Sequence, residues 1–382
     1  MTGVEACASG RRPTEARVDL GAIRANYAEA RRACGGLALY AVIKADAYGH
    51  GAVRVARALE ASGCERFAVL DVHEAASLDD AGVRARLLVL GGVHDAGEAA
   101  EAVRRRFVPV LHDAAGLAQV AAAARAAGVR APVEIEIDTG MRRMGIPADA
   151  ALDLLTAVAA EPAVALEGTF THLAQADETQ LAPSLAQLGV FRDVLARARE
   201  RGIALGRVHF ANSAGLLAGT PLADALPEAT AVRPGLLLYG ARPAPHLPGA
   251  LRPAMTLATR VVQVRAVRRG EAVGYNARFR AGDDTRIATL AVGYADGVPV
   301  ATSGRGEVLI RGRRFPIAGR VSMDYVGVDV GAAPVVPGDA ALLFGVCAEG
   351  ALPVEDAAAS AGTISYELLV RVGARVPRVY VE

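Results

Sequence analysis

The sequence has few of the features that mark small secreted, membrane-embedded or nucleic-acid-binding proteins. Its 382 residues include four cysteines, no tryptophan and a net charge of only +1. The cysteines, at positions 7, 34, 64 and 347, are too widely spaced for a metal site, and a chain of this size needs no disulfide framework, so we expect reduced thiols. A charge this close to zero creates no long-range field, so we expect neither nucleic acid nor a membrane surface as a partner.

Long apolar runs are also missing. No run reaches the roughly 20 residues that cross a bilayer, and the N-terminal segment lacks the apolar core of a secretory signal. We therefore expect a cytoplasmic protein. Apolar residues make up 52% and charged residues 22%, as in globular proteins with a full core, and the length allows two cores. The seven histidines show no ligand spacing, so we expect no metal.

From about residue 18 to residue 240, apolar β-rich runs alternate with helical stretches rich in Ala, Arg and Glu. This alternation predicts a parallel sheet, and eight runs over such a length favour a closed (β/α)8 barrel over an open sheet. No G-x-G-x-x-G fingerprint follows the first run, which argues against a dinucleotide-binding fold. The predicted strands are 38–43, 67–70, 87–91, 108–111, 133–137, 166–171, 208–210 and 232–238.

The pattern changes near residue 241. A proline-dense segment, ARPAPHLPGALRPAM, reads as a linker, and short alternating segments punctuated by turn residues follow it. We therefore predict an α/β protein: a (β/α)8 TIM-type barrel over residues 14–245, followed by a mostly-β C-terminal domain over residues 246–382. The strand-like segment before residue 18 is a candidate to pair with the second domain, and residues 1–13 are a candidate addition to it.

In such a barrel the functional residues lie where strands end, and the first strand ends in AVIKADAYGHG. A lysine that closes a buried strand is unusual, because a buried ammonium is costly and tends to lose its charge. Two interpretations of Lys44 are open at this point. It could be a Schiff-base nucleophile, which needs a neutral amine, or its ammonium could simply reach the rim. The loop that follows could bring Tyr48 back over the same opening.

The seventh and eighth strands end in VHFANSAG and VRPGLLLYG. Asn212 and Ser213 could simply cap a helix, or they could bind an anion with the free N–H groups of that helix. Gly235 would let backbone approach a ligand closely. Because barrels commonly bind phosphate after strands seven and eight, a lysine at strand one together with this cradle suggests pyridoxal phosphate.

Four further positions have both a structural and a functional interpretation. Arg142 or Arg143, after the T-G turn of EIDTGMRRMG, could bind a carboxylate, and the other would be a solvated surface charge. His172, in FTHLAQADE, could stack on a flat ring or be a satisfied core histidine. Tyr275, in GEAVGYNARF, could carry a proton only if its environment lowered its pKa.

The segment GRVSMDYVGVDV places Met323 and Asp324 in a turn that approaches a strand of the second domain. Taken alone, such residues more often serve structure than chemistry. Only together with the other segments do Met323 and Asp324 indicate a function.

Taken together, these segments resemble the alanine racemase family, whose members bind pyridoxal phosphate in a barrel followed by a β-domain. The similarity runs from about Arg17 to the C-terminus. AVIKADAYGHG is similar to the family's cofactor-lysine signature, which implies that Lys44 binds the cofactor and that Tyr48 lies near its phosphate. DTGMRRMG is similar to D-T-G-M-x-R-x-G, which selects Arg143 over Arg142 as the arginine of the substrate carboxylate and the cofactor's ring oxygen.

The resemblance assigns roles to the remaining barrel residues. It implies that His172 lies against the pyridine ring and that Arg233 is the partner of the ring nitrogen. Because an arginine only donates, such a partner would leave that nitrogen unprotonated. The residues implied at the phosphate are Asn212, Ser213, Gly235, Leu236 and, from TISYELL, Tyr366.

In the β-domain the resemblance makes Tyr275 the second base and Met323 a backbone contact of the substrate pocket, with Asp324 in support. The implied reaction is the two-base interconversion of L-alanine and D-alanine, in which Lys44 serves the D-alanine proton and Tyr275 the L-alanine proton. The family builds each site from the barrel of one subunit and the β-domain of another. We therefore expect a head-to-tail homodimer with shared active sites and an amino-acid substrate.

One position departs from the family pattern. Many members have a lysine, modified to a carbamate, two residues before the D-T-G, and this sequence has Glu136 there. Our hypothesis is that the Glu136 carboxylate supplies the anion directly and that carbon dioxide is not needed. A glutamate is shorter than a carbamylated lysine, so its contact with Arg143 could be looser or bridged by water.

Alternatives to an alanine racemase remain. A racemase of serine or of a broader amino-acid set would use the same chemistry, since a single methylene or hydroxyl changes selectivity by only ~1–3 kcal/mol. A barrel-type decarboxylase of basic amino acids is disfavoured by the Tyr275 and Met323 segments, and a non-catalytic cofactor carrier by the β-domain as a whole. The sequence leaves open whether D-alanine would serve cell-wall peptidoglycan or whether alanine is degraded.

Overall fold

The structure, a computed structural model, describes residues 12–382. Its first strand, β1 (Glu15–Asp19), runs antiparallel to the strand Met255–Val267 and parallel to the strand Arg378–Val381. The strand-like segment before residue 18 therefore pairs with the C-terminal strands, although the predicted domain limits place residues from 14 onward in the barrel. Residues 1–11 lie outside the described residues. The helix α1 (Leu20–Ala33) follows β1 directly.

A closed parallel sheet forms the N-terminal part of the molecule. The first barrel strand is split at Tyr40 into two halves, one of which pairs with the last strand and the other with the second, so the sheet closes. The predicted (β/α)8 barrel is thereby confirmed. Its strands are β2 (Ala38–Leu39), β3 (Ala41–Val42), β4 (Arg66–Val69), β5 (Arg86–Val89), β6 (Val108–Leu111), β7 (Ala131–Asp138), β9 (Val164–Phe170), β10 (Arg207–His209) and β11 (Ala231–Val232); β8 (Ile146–Pro147) pairs outside the ring with β7.

Helices return the chain between these strands, and aspartates start several of them. The side chains of Asp19, Asp71, Asp95 and Asp113 each accept a hydrogen bond from a backbone N–H in the first turn of the following helix. Such caps satisfy N–H groups that have no partner within the helix. The barrel helices are α2 (Lys44–Gly49), α3 (Ala52–Glu60), α4 (Val72–Asp80), α5 (Ala96–Arg104), α6 (Ala114–Ala127), α7 (Ala151–Ala160), α8 (Ala182–Glu200), α9 (Ser213–Leu217) and α10 (Thr220–Ala225).

The last predicted barrel strand, 232–238, is wrong beyond Val232. The chain leaves the sheet after that residue and forms a 3-10 helix over Leu236–Tyr239. Pro234 has no N–H to donate to a ladder and so ends the strand. The three leucines that follow are buried in this 3-10 helix, so their apolar run indicated burial and not an extended strand.

The C-terminal domain is mostly β, as predicted. Its long central strand β12 (Met255–Val267) pairs along its first half with β1 and with β19 (Ala340–Cys347), and along its second half with β15 (Thr285–Leu290). The other strands are β13 (Ala272–Val273), β14 (Phe279–Arg280), β15 (Thr285–Leu290), β16 (Glu307–Ile310), β17 (Arg313–Pro316), β18 (Val326–Asp329), β19 (Ala340–Cys347), β20 (Gly350–Leu352) and β21 (Arg378–Val381). The 3-10 helices are Tyr275–Ala277, Tyr294–Asp296 and Val300–Thr302.

Two helices, α11 (Val354–Ser360) and α12 (Ser365–Val370), complete this domain, and α12 packs against α2 of the barrel. The packing is close: a Cβ added at Gly49 would lie 2.6 Å from the carbonyl oxygen of Leu369. The C-terminal domain thus holds one short helix over the carboxyl end of the first barrel strand. None of the helices within residues 12–382 combines the length and apolarity needed to cross a bilayer.

Candidate active site

A cavity of about 1100 Å³ opens at the carboxyl ends of the barrel strands. This is the end at which barrels of this kind place their reactive groups. A much smaller cavity of about 30 Å³ in the C-terminal domain has a largely apolar lining and holds none of the predicted residues. The predicted residues that line the large cavity are Lys44, Tyr48, Glu136, Arg143, His172, Asn212, Ser213, Arg233, Gly235, Leu236 and Tyr366.

Lys44 comes two residues after the end of the first barrel strand and is half-buried in the cavity wall. Burial, reinforced by the charge of Arg143, lowers the pKa of Lys44 below its ordinary value, while Glu74 and Glu136 oppose the shift. A lysine with a lowered pKa is a better nucleophile near neutral pH because more of it is the free amine. Lys44 is also the only lysine among the 382 residues, which the sequence reading overlooked.

The segment after Lys44 is a left-handed turn. Four consecutive residues, Ala45 to Tyr48, have φ between 52° and 54°, which costs ~1–2 kcal/mol for each residue that is not glycine. The carboxylate of Glu74 secures the start of this turn by accepting hydrogen bonds at 2.7 Å from the backbone N–H groups of Ala45 and Leu70. Backbone strain of this kind concentrates at functional sites.

The turn returns Tyr48 to the cavity, as predicted for this loop. Its ring stacks on Tyr239 at a centroid distance of 4.7 Å and lies 6.1 Å from the ring of Tyr366. Burial raises the pKa of Tyr48, and it raises the pKa of Tyr366 to about 12. Both side chains are therefore neutral hydroxyl groups that can donate hydrogen bonds to an anion.

The loops after the seventh and eighth strands meet beside Tyr48. The Ser213 hydroxyl oxygen accepts hydrogen bonds from the backbone N–H groups of Gly235 (2.9 Å) and Leu237 (3.2 Å), so its own hydrogen is left to donate. A Cβ at Gly235 would overlap the hydroxyl of Tyr48, which explains the glycine. Asn212 caps α9, because its side-chain oxygen accepts a hydrogen bond from the N–H of Gly215. This is the structural role considered for Asn212 in the sequence, and it leaves that oxygen already hydrogen-bonded within the protein.

Arg233 and His172 lie next to each other in the cavity wall. Nη2 of Arg233 donates to the carbonyl of Thr171 at 2.9 Å and lies 3.4 Å from Nδ1 of His172, and the guanidinium stacks on Phe170 at 4.3 Å. Burial first, and then the charges of Arg233, Arg143 and Lys44, lower the pKa of His172 to about 3. His172 is thus neutral. Burial lowers the pKa of Arg233 only to about 10, so Arg233 remains a cation.

Arg143 is an exposed side chain on the cavity rim, and Glu136 is a buried one in its wall. Among the described residues no hydrogen bond joins the two. Oε2 of Glu136 instead lies 3.3 Å from Nε2 of His112, a distance suited to an ion pair when His112 is protonated. Arg142 points to solvent and pairs with Asp138 at 3.5 Å, which agrees with the selection of Arg143 for the cavity.

Tyr275, Met323 and Asp324 do not line the cavity. Tyr275 is 67% exposed and Met323 is 52% exposed, on the surface of the C-terminal domain. Asp324 is fixed there by hydrogen bonds from Arg12 at 3.2 Å and Arg375 at 2.9 Å. A single chain therefore does not bring the predicted second base to Lys44.

The sequence reading missed three groups near the cavity, of which Glu74 is half-buried and His209 and Glu134 are buried. Glu74 carried no signal beyond its place in the first turn of α4. Glu134 did carry one, since two carboxylates, at 134 and 136, interrupt an otherwise apolar strand that is buried on both faces. Only the second of the two was singled out.

The cavity suits pyridoxal phosphate in its chemistry. It offers one free amine at Lys44, neutral donors at Tyr48, Tyr366 and Ser213 for a phosphate, and a cation at Arg233. The glycine at position 235 lets the hydroxyl of Tyr48 lie close to the backbone of the loop that carries Ser213's partners. Amine and anion site lie in one cavity, which is the combination that an aldehyde with a phosphate ester requires.

Comparisons with known proteins agree with this geometry. Family models described as alanine racemase, N-terminal domain, and alanine racemase, C-terminal domain, match residues 18–243 and 254–380. The alanine racemase of Syntrophobacter fumaroxidans is 40% identical over 363 residues, covering 93% of this chain and 94% of that protein. A crystal structure of the alanine racemase of D-cycloserine-producing Streptomyces lavendulae superposes with a TM-score of 0.90 at 38% identity, covering 98% of each chain. That of Bartonella henselae, with covalently bound pyridoxal phosphate, gives 0.87 at 29% identity, covering 97% of this chain and 99% of that one.

Proposed function

Because the chain belongs to the alanine racemase family, we propose that it interconverts L-alanine and D-alanine by moving the α-proton between two bases on opposite faces of the substrate. Racemisation of alanine with pyridoxal phosphate is the family's activity and that of this chain, and no observation favours the serine alternative. The two bases are Lys44 and Tyr275. The observation that carries the proposal is the sole lysine of the chain, with a lowered pKa, in the wall of the large cavity.

Each polar residue that the sequence predicts for the cavity has a part in this proposal. Pyridoxal phosphate, when bound, supplies an electron-withdrawing ring that makes the α-proton of alanine more acidic. Lys44 holds the cofactor and exchanges a proton at Nζ, Arg143 binds the substrate carboxylate, and Arg233 donates to the ring nitrogen while His172 lies against the ring. The groups assigned to the phosphate are Tyr48, Tyr366, the hydroxyl of Ser213, Asn212 and the N–H of Leu236. Gly235 belongs with them because it lets the Tyr48 hydroxyl approach closely, whereas its own N–H donates to Ser213.

Tyr275 can serve only if a second chain supplies it. We propose a head-to-tail homodimer in which Tyr275, Met323 and the supporting Asp324 of one copy cover the cavity of the other. The exposure of Tyr275 and Met323 supports this arrangement, because large apolar side chains clustered on a surface commonly mark an interface. Tyr294 and Tyr325, 42% and 51% exposed on the same domain, would be covered with them.

Glu136 takes the place of a carbamylated lysine in this proposal. No lysine other than Lys44 exists in the chain to be carbamylated. The buried carboxylate of Glu136 and the side chain of Arg143 both line the cavity, and their charges shift the pKa of Lys44 in opposite directions. We place the enzyme in the cytoplasm and the domain boundary between residues 245 and 246.

A substrate panel tests the proposed function. Purified protein loaded with pyridoxal phosphate is incubated with single L-amino acids, and D-amino-acid oxidase detects the enantiomer formed. We expect alanine to be racemised with the highest kcat/KM, at least about tenfold above serine, since the pocket must accept an added hydroxyl to use serine. A preference for serine would overturn the alanine assignment, and release of carbon dioxide from a basic amino acid would indicate a decarboxylase.

A further inference from the structure

Four buried polar side chains form a hydrogen-bonded chain inside the barrel, and it reaches the cavity through Arg233. The Tyr40 hydroxyl donates to Oε1 of Glu134 at 2.6 Å, and Oε2 of Glu134 lies 3.0 Å from Nε2 of His209. Nδ1 of His209 is hydrogen-bonded to Nη1 of Arg233. None of the four residues is more than 3% exposed. We call Tyr40, Glu134, His209 and Arg233 the barrel relay.

The relay allows only one distribution of protons. Arginine is a donor at every nitrogen, so Nδ1 of His209 must accept with its lone pair. The hydrogen of a neutral imidazole is then on Nε2, where it donates to the Glu134 carboxylate. Glu134 thus accepts from His209 with one oxygen and from Tyr40 with the other, and the relay contains one cation, one neutral ring and one anion.

Electrostatics agree with this assignment. Burial is the largest influence on Glu134 and would raise its pKa, but His209, Tyr40 and Arg233 together bring that pKa below its ordinary value. Burial also lowers the pKa of His209, so the ring is neutral. Both groups therefore keep the same protonation state across the neutral pH range.

Packing fixes the relay in place. The His209 ring lies between Tyr40 and Phe170, with centroid distances of 5.2 and 4.8 Å. The carboxylate of Glu134 occupies space that only a glycine on the neighbouring strand leaves free, because a Cβ at Gly168 would lie 2.6 Å from its Cδ. Glycine at position 168 is thus needed for close approach, and its φ is not positive.

A purely structural purpose explains the relay poorly. Bringing a carboxylate and a guanidinium out of water costs several kcal/mol for each ion, and apolar side chains of similar volume commonly stabilise a core as well or better. The Glu134 carboxylate also makes no direct ion pair with Arg233, because the neutral ring of His209 lies between the two and is hydrogen-bonded to both. Such an arrangement controls the position and charge of the guanidinium at the cavity.

We propose that Glu134 is a positioning residue for Arg233: through the tautomer of His209 it holds the guanidinium as an oriented cation at the ring-nitrogen end of the cofactor cavity. This inference depends on the proposed assignment of Arg233 to the ring nitrogen. Glu134 touches neither cofactor nor substrate in this account. Its effect should therefore appear in the properties that Arg233 controls.

The variant Glu134→Gln tests the proposal, because it keeps the shape of the side chain and removes its charge. We expect a changed visible absorption spectrum of the cofactor-loaded protein, and a kcat lowered by roughly tenfold, as for other outer partners of site residues, with KM for alanine less affected. A melting temperature lowered in the cofactor-free protein, together with an unchanged spectrum and kcat, would show that Glu134 is merely structural and would overturn the proposal.

A matched pair at position 209 gives a second test should Glu134→Gln fail to fold. In His209→Gln the amide oxygen can accept from Arg233 while the amide nitrogen donates to Glu134, so we expect spectrum and kcat near wild type. His209→Leu can do neither and should resemble Glu134→Gln. Equal behaviour of the glutamine and leucine variants would contradict the relay.

A double-mutant cycle then assigns the effect to Arg233. In an Arg233→Met background, Glu134→Gln should lower kcat by less than about twofold, because the group it positions has gone. The same tenfold loss in both backgrounds would show that Glu134 acts without Arg233. These outcomes are separate from the proposed function, which fails only if the wild-type protein does not racemise alanine.

Discussion

At the scale of single residues, Lys44 is distinguished by being the chain's only lysine, which makes its proposed role unusually easy to test. Borohydride reduction of the cofactor-loaded protein should attach a pyridoxyl group to one ε-amine, and peptide mass spectrometry should find it on the peptide that contains Lys44. Lys44→Ala should give no internal labelled peptide and should bind the cofactor only non-covalently. A pyridoxyl group on any other internal peptide of the wild-type protein would refute the assignment.

Glu136 provides a second prediction at this scale. Glu136→Gln should lower kcat/KM for alanine at least about tenfold, since a charge-assisted hydrogen bond, direct or through water, contributes ~1.5–3 kcal/mol. Steady-state kinetics measure this change. The matched control is Glu161→Gln: Glu161 precedes β9, at the opposite end of the barrel, and its half-buried side chain pairs with the exposed Arg125, so kcat/KM should not change.

The same hypothesis predicts how the wild-type enzyme responds to carbon dioxide. Because no second lysine exists to form a carbamate, removal of bicarbonate by degassing should leave kcat/KM of the wild type unchanged. A loss that added bicarbonate restores would contradict the role of Glu136. So would wild-type kinetics in Glu136→Gln.

At the scale of elements, the barrel strands could be predicted because apolar runs bounded by turn residues are a direct signature of buried strands. The positions of Lys44, Arg143, His172 and Ser213 in one cavity followed from this, since the carboxyl ends of parallel strands converge. The left-handed turn after Lys44 could not be predicted, because alanine, aspartate and tyrosine have no strong preference for positive φ. It is imposed by tertiary contacts such as that of Glu74.

Gly235 tests whether the loop after β11 is built for close approach. Gly235→Ala should weaken cofactor binding at least about tenfold, because the added Cβ overlaps the hydroxyl of Tyr48 and neither the backbone nor the stacked ring can easily yield. Titration of the cofactor-free protein, followed by absorbance, measures the dissociation constant.

Gly189→Ala is the matched control for this change. Gly189 lies in the helix α8 with no atom near its added Cβ, so alanine should leave cofactor affinity unchanged and stabilise the protein by ~0.5–1 kcal/mol. Wild-type affinity in Gly235→Ala would show that the phosphate is bound elsewhere.

At the scale of the whole molecule, the proposed two-base reaction needs more than one chain, because Tyr275 lies on the exposed surface of the C-terminal domain and Lys44 lies in the barrel. The sequence patterns of the barrel and of the β-domain could not predict that the two proposed bases lie so far apart within one chain. Patterns of apolar residues determine which segments pack together, but an interface between two copies leaves no periodic signal. The family resemblance alone supplied the expectation of a dimer.

Mixed dimers distinguish shared sites from sites within one chain. Lys44→Ala and Tyr275→Phe should each abolish activity in a homodimer. If they are co-expressed with different affinity tags and the heterodimer is isolated by both, one of its two sites combines an intact Lys44 with the partner subunit's intact tyrosine. We therefore expect about half the wild-type kcat per dimer.

The control replaces the second variant with the double variant Lys44→Ala, Tyr275→Phe, which leaves no intact site in a heterodimer with Lys44→Ala. Its activity sets the background from reassociation or contamination. If each site were formed within one chain, the test heterodimer would also contain no intact site and would be as inactive as this control. Activity well above it can arise only if the tyrosine of one copy reaches the lysine of the other, and a fully active monomer in sedimentation experiments would exclude that arrangement.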